Sequence, residues 1–274
     1  MTKTNNQLKT NSFANTLASD FYKLGKMKSV YIGAAIMFLF ILILFAASLV
    51  LKRLPDEEDD QAVLAVFGGT FMLFNFASNA NISLLVTIII GIFVGKDFSN
   101  GTMRLAIARG TNRLQSYFSK LIVISVLIIG YMAGSLLVSG IFTAIVGYGA
   151  EFTGLMFARL IRTFALAFLA LLSSASIYLM LAFLTRTSGG ALGASIGIYL
   201  LIDVLVTILN AVGAIKNNGL TEAVSYLPFQ QLSLAGTDGA MSVGETMKLL
   251  FVPIGYTLLS SFVGIITFVK RDIK

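Results

Sequence analysis

The residues with the most chemical content lie in one polar stretch, Gly95–Lys120, that interrupts a very apolar chain. It sets five bases, Lys96, Arg104, Arg109, Arg113 and Lys120, against one acid, Asp97. Guanidinium and ammonium groups hold carboxylates and phosphates; they are not nucleophiles in this protonation state. The rest of the inventory agrees. The chain has no Cys and no His, which removes thiolate and imidazole metal ligands, disulfides and nucleophile–histidine catalysis together. No Gly-x-x-x-x-Gly-Lys-Ser/Thr phosphate loop occurs, so no nucleotide site is expected on this chain. The acidic run Asp56–Asp60 reads as a solvated loop without an ordered partner. No carboxylate pair has a glycosidase-like or metal-like setting. The chemistry expected is therefore recognition, not catalysis: not an enzyme by itself, with no metal and no cofactor of its own.

The polar stretch carries its own helix punctuation. Asn100 is placed to cap a short helix over Gly101–Arg109, and Gly110 to end it in a left-handed turn. Asn112 with Gln115 three residues on reads as a capping box that opens the next helix. The stretch is thus a short, basic, amphipathic helix held between two apolar elements.

Those elements are membrane spans. Hydrophobic residues make up 57% of the 274 residues and charged ones 12%, with a mean hydropathy of +0.87. A soluble domain carries about 25% charged residues. The fold expected is an all-α membrane protein, one transmembrane domain over residues 1–274. Residues 1–10 are a polar tail. Phe13, Leu17, Phe21 and Leu24 follow helical spacing and precede Lys23, Lys26 and Lys28, so residues 11–28 read as an interfacial amphipathic helix. Six spans follow, at about 30–51, 74–95, 121–149, 163–185, 189–210 and 249–269. The first is too long for a signal-peptide core, and Ala46-Ala47-Ser48 is a weak cleavage match. Residues 62–73 form an apolar approach to span 2, and 96–120 a loop. Segment 211–248 is too apolar for a free loop and reads as short helices dipping back into the outer leaflet.

An even number of spans puts both termini on one side. With the termini inside, 14 of the 20 bases fall on inner segments, so the termini and the Gly95–Lys120 loop are expected to be cytoplasmic. The net charge of +7 thus reports topology, not nucleic-acid binding.

The order of residues in the loop then suggests a relative. An acid just after a span (Asp97), Gly101-Thr102, Arg104 and Leu105, then Arg113, and Lys120 entering the next span resembles the loop between spans 2 and 3 of ABC-2 type permeases. These are membrane-spanning subunits of ABC exporters. The amphipathic N-terminal helix, six spans, and Tyr226-Leu-Pro-Phe229 before the last span agree. Two positions differ. The acid of the family is often Glu, and Pro often precedes its Arg; here Asp97 and Gly110-Thr111-Asn112 stand there.

The resemblance implies that Gly101–Arg109 is a coupling helix seated on a separate cytoplasmic ATP-binding cassette subunit. Leu105 and Ile107 would supply apolar contact, and Arg104, Arg109 and Arg113 charge pairing, with Asp97, Gly101 and Thr102 part of the same element. ATP and Mg would sit on that partner. A second permease subunit, like or unlike, would complete the translocation path. The setting implied is a bacterial plasma membrane, and the cargo a hydrophobic or amphipathic peptide antibiotic, toxin or drug. The plainer reading of the same bases is that they enforce topology and touch membrane lipid phosphates.

Two further features have two readings each. Gly189, Gly193 and Gly197 form a small-residue stripe in span 5. It suits either the subunit interface and path or packing within one subunit. Asp203 is the one acid inside an expected span. It either faces a cationic substrate or the path, or bonds locally to Thr207. A different function class also fits the basic loop: a non-transporting scaffold or sensor that recruits cytoplasmic partners. An ion-coupled carrier is disfavoured, since it needs more intramembrane ionisable groups and an internal repeat.

Overall fold

Long runs of Leu, Ile, Val, Phe and Ala leave the backbone few ways to satisfy its polar groups in apolar surroundings, and the α-helix does so within one segment. The structure, a computed structural model, describes residues 12–51, 80–146, 154–216, 220–236 and 241–270. Among these residues there are ten helices and no strand. They are α1 (Phe13–Lys26), α2 (Lys28–Leu51), α3 (Ala80–Ser99), α4 (Thr102–Ala108) and α5 (Arg113–Val146), then α6 (Gly154–Thr185), α7 (Ser188–Lys216), α8 (Leu220–Val224), α9 (Pro228–Ala235) and α10 (Val243–Lys270). Six of them, α2, α3, α5, α6, α7 and α10, are long and apolar enough to cross a membrane. The chain is an all-α, multi-pass membrane protein. The polar tail 1–10, the acidic run Asp56–Asp60, the apolar approach 62–73 and the expected start of span 2 at 74–79 lie outside the described residues.

Helix α6 is the hub, packed against α10, α3, α7, α9 and α5. Its buried face sets small residues, Ala167, Ala170, Ser173, Ala175, Ser176 and Ala182, among larger ones such as Leu171, Tyr178 and Phe183. Small side chains let neighbouring backbones come close where no hydrophobic force drives helices together. The hydroxyls are satisfied within the helix, as Ser173 donates to the Ala170 carbonyl at 2.7 Å and Ser176 to that of Ser173 at 2.7 Å. Ser176 also meets Ser260 of α10, oxygen to oxygen at 2.6 Å.

A close crossing joins α3 to α7. A Cβ on Gly91 would stand 2.8 Å from a Leu192 methyl, and one on Gly95 2.6 Å from the Ser188 Cα. Only hydrogen fits at Gly95, because backbone cannot yield as a side chain can. The Ser188 amide, next to this crossing, donates to Ser99 Oγ at 3.0 Å. By contrast α2 packs chiefly on α5, and the outward faces of α7 and α10 carry exposed Leu200, Leu201, Val204, Phe251, Leu258 and Phe262.

Several boundaries move for identifiable reasons. Helix α10 begins at Val243, earlier than the expected 249, because Ser242 and Glu245 form a capping box. The Glu245 amide donates to Ser242 Oγ at 3.2 Å and the Ser242 amide to the Glu245 carboxylate at 2.8 Å. Helix α7 runs on to Lys216, so between it and α10 the described residues of the segment expected at 211–248 form the short α8 and α9, with Val224, Leu232 and Ala235 buried. Helix α1 does not keep its whole apolar stripe for lipid. Leu24 is buried, Leu17 and Phe21 pack on the core, and the helix lies along α5.

Candidate functional site

The site is at the end of the bundle where α3 stops and α5 starts. Helix α4 bridges the two. Its N-terminus is not capped by Asn100. Gly101 takes a left-handed φ of 68°, and the Thr102 hydroxyl turns back to Asp97, 2.9 Å from its carboxylate and 3.1 Å from its carbonyl. Its C-terminus is a Schellman turn. Gly110, at φ 89°, donates to the Ile107 carbonyl at 2.9 Å, and Thr111 to that of Ala106 at 3.1 Å. Asn112 then caps α5, accepting from the Leu114 amide at 3.2 Å.

Behind α4 sits a network of two acids and two bases, in which Asp20, Asp97 and Lys120 are buried and Lys23 is partly exposed. Lys120 is 1% exposed. Its ammonium bonds the Asp97 carboxylate and lies 3.4 Å from Asp20, while its other side faces the Phe93 ring, 4.6 Å to the centroid. Asp20 comes from α1 and is itself buried, and Ser119 donates to its second oxygen at 2.7 Å. Lys23, one turn along α1, reaches Asp97 at 3.3 Å and Asp20 at 3.8 Å. The charges sum to zero, and hydrogen bonds fill the carboxylate oxygens. That is the condition under which buried ions can be kept without a large desolvation penalty. The network ties α1, α3, α4 and α5 at one point.

A second tie holds α10. The Arg113 guanidinium donates to the Phe268 and Val269 carbonyls at 2.9 and 2.8 Å. Arg186, in a left-handed backbone conformation, donates to the Thr267 carbonyl at 3.4 Å. The last carbonyls of a helix lack intrahelical partners and carry the negative end of its dipole, so two arginines are well matched there. Beneath them four rings from four helices meet. Phe183 of α6 lies 5.5 Å from Phe98 of α3, 5.0 Å from Tyr117 of α5 and 4.8 Å from Phe268 of α10, centroid to centroid. Gly264 admits the Tyr117 ring, which stands 2.9 Å from where a Cβ would be.

The residues read from sequence therefore divide into groups. Asp97, Thr102 and Arg113 face inward and fasten the loop. Gly101 supplies its turn. Ile107 packs on the core. Arg104, Leu105 and Arg109 face outward, Leu105 with 56% of its surface exposed. Among the described residues Gly189, Gly193 and Gly197 are brought to no neighbour: a Cβ on any of them would meet nothing within 4 Å. Within the subunit Gly91 and Gly95 perform the close packing instead. Asp203 is half-buried on α7. Thr207 donates to the Asp203 backbone carbonyl at 2.9 Å, rather than to its carboxylate.

Sequence reasoning missed Asp20, Lys23 and Ser119 as members of the site. Asp20 did leave a signal, since it is an acid among the apolar positions of an amphipathic helix. Its partner Lys120 lies 100 residues away, and no local pattern joins them.

The family described as Protein of unknown function (DUF2705) matches residues 56–274. No curated protein matches the chain.

Proposed function

The chain belongs to the DUF2705 family, whose match takes in α3 through α10 and the polar loop, and from that premise we propose that it is the permease subunit of an ATP-driven exporter. One observation carries the reading: α4 presents Arg104 and Leu105 outward while both of its flanks are locked to the spans. The N-terminal flank is held through Asp97 to Lys120, and the C-terminal flank through Arg113 to α10. A short exposed helix with rigid attachments on both sides passes a displacement to the bundle. A helix on a slack loop would absorb it. That is the mechanical requirement for coupling closure of a cytoplasmic ATP-binding cassette subunit to movement of the spans.

In this reading the basic end is cytoplasmic and the protein lies in the plasma membrane of a bacterium. ATP and Mg are bound by the partner. A second permease subunit packs on the outward face of α7, where Gly189, Gly193 and Gly197 leave room for a helix to approach closely. Asp203 lies farther along α7 and faces the path. The cargo is hydrophobic or amphipathic.

The test is purification of the chain from its native membranes in mild detergent, with identification of any stoichiometric soluble partner and assay of ATP hydrolysis by the complex. A partner with a phosphate-binding loop is expected, and the double variant Arg104→Ala, Leu105→Ala should lose it or its stimulation. Retention of full, stimulated ATPase binding by the double variant would overturn the role of α4. Recovery of a receptor-like protein without ATPase activity would replace the exporter with a recruiting scaffold.

A further inference from the structure

A cavity of about 350 Å³ opens between α1 and α4, and its wall is chemically one-sided. The volume is within the range of small-molecule sites, about 300–1,000 Å³. Its carboxylate oxygens are already in use. Asp20 Oδ1 receives Lys120 and Lys23, and Asp20 Oδ2 receives Ser119. Asp97 Oδ1 receives Lys23 and Thr102, and Asp97 Oδ2 receives Lys120. Its donors are not used up. Asn15, Ser19 and Arg109 line the same cavity and make no side-chain hydrogen bond or ion pair with other described residues. Three bases on the wall (Lys23, Lys120, Arg109) against two acids (Asp20, Asp97) leave one positive charge over. A wall with spare donors, spare positive charge and saturated carboxylates favours an anion over a cation.

We propose that this cavity is a binding site for a phosphate ester, held by Arg109 and Lys23 with Asn15 and Ser19 as further donors. A guanidinium fork matches two phosphate oxygens at once, which a carboxylate-lined cation site could not. Leu105, also on the wall and 56% exposed, gives the ester substituent an apolar neighbour. The phosphate has two possible sources with the same chemistry, the headgroup of an anionic phospholipid or a soluble phosphate ester. The proposal rests on the cavity alone and stands whether or not an ATP-binding partner docks on α4.

The experiment uses the full chain, purified and delipidated in detergent. Native mass spectrometry counts adducts of phosphatidylglycerol against phosphatidylcholine, and thermal shift reads glycerol 3-phosphate and inorganic phosphate. A saturable phosphatidylglycerol adduct is expected, weakened roughly tenfold by Arg109→Gln, the scale of one lost charge-assisted hydrogen bond. Arg104→Gln, in the same loop but off the cavity wall, should leave it unchanged. Ser19→Ala, at an exposed position, provides a second variant that does not challenge folding. Glycerol 3-phosphate binding with the same dependence on Arg109, and no lipid adduct, supports the site with a soluble ligand. Equal adducts in the parent chain and Arg109→Gln, or equal losses in Arg104→Gln and Arg109→Gln, overturn it. A loss of phosphate binding with the partner ATPase still copurifying would separate this site from the coupling role.

Discussion

Lys120 is the residue on which the basic end depends. Its ammonium is enclosed and serves both Asp97 and Asp20. Removing it leaves two buried carboxylates short of a counter-charge, a change that costs about 3–5 kcal/mol in comparable sites. Lys120→Met should therefore lower the unfolding temperature in detergent sharply, and Asp97→Asn added to it should recover part of the loss. Recovery is the informative outcome, because additivity would mean that the two side chains are not coupled. Thr102 offers a smaller test at the same place. Its hydroxyl spans the Asp97 carboxylate and carbonyl, so Thr102→Val should cost about 1 kcal/mol and loosen the start of α4. Faster hydrogen exchange over 101–108 is the measurement that would report it. Asp20 was not legible as a site residue because its meaning depends on a partner from another helix. Asn112 and Gly110 were legible, because capping is a local act.

The crossing of α3 on α7 shows what a glycine does at the scale of an element. Gly95 has Ser188 backbone where a Cβ would go, while Gly193 has no described residue within 4 Å of that position. Gly95→Val should destabilise the protein by about 1–3 kcal/mol, the usual cost of overpacking. Gly193→Ala should leave its unfolding temperature unchanged. Thermal unfolding of the two variants side by side decides the matter, and equal effects would contradict the crossing described. Both glycines sit in four-residue repeats in the sequence, Gly91 with Gly95 and Gly189 with Gly193 and Gly197. Periodicity shows that a face is small. It does not show whether that face meets its own chain.

For the whole molecule, the distribution of buried and exposed faces carries the prediction. Helices α3 and α6 are largely enclosed, whereas α7 turns its glycines and then Leu200, Leu201 and Val204 outward. If a second subunit packs there, Gly193→Phe should lower the fraction of cross-linked dimer in membranes while leaving the monomer's unfolding temperature in place. An unchanged dimer fraction would move the subunit contact to another face, with α10 and its exposed Phe251, Leu258 and Phe262 next to be tested. The two arginines on the α10 carbonyls belong to this scale as well, since Arg113 joins the polar loop to α10 and Arg186 joins the α6–α7 turn to it. Arg113→Gln should weaken the hold on α10, seen as faster hydrogen exchange over its last turns.

The sequence by itself determined the class, because apolar runs long enough to cross a membrane leave helices as the economical solution and hydropathy is a sum over local residues. It also determined the polar loop and the turn that ends α4, because Gly110 and Asn112 act on backbone within a few positions of themselves. Only the tertiary structure decided which charges are neutralised inside and which remain available outside. Lys120 and Arg109 are both bases of one short loop, yet one is buried among carboxylates and the other is exposed. That difference arises from where α1 and α5 come together. A contact between residues a hundred positions apart is set by how whole faces pack, which no window of the chain contains.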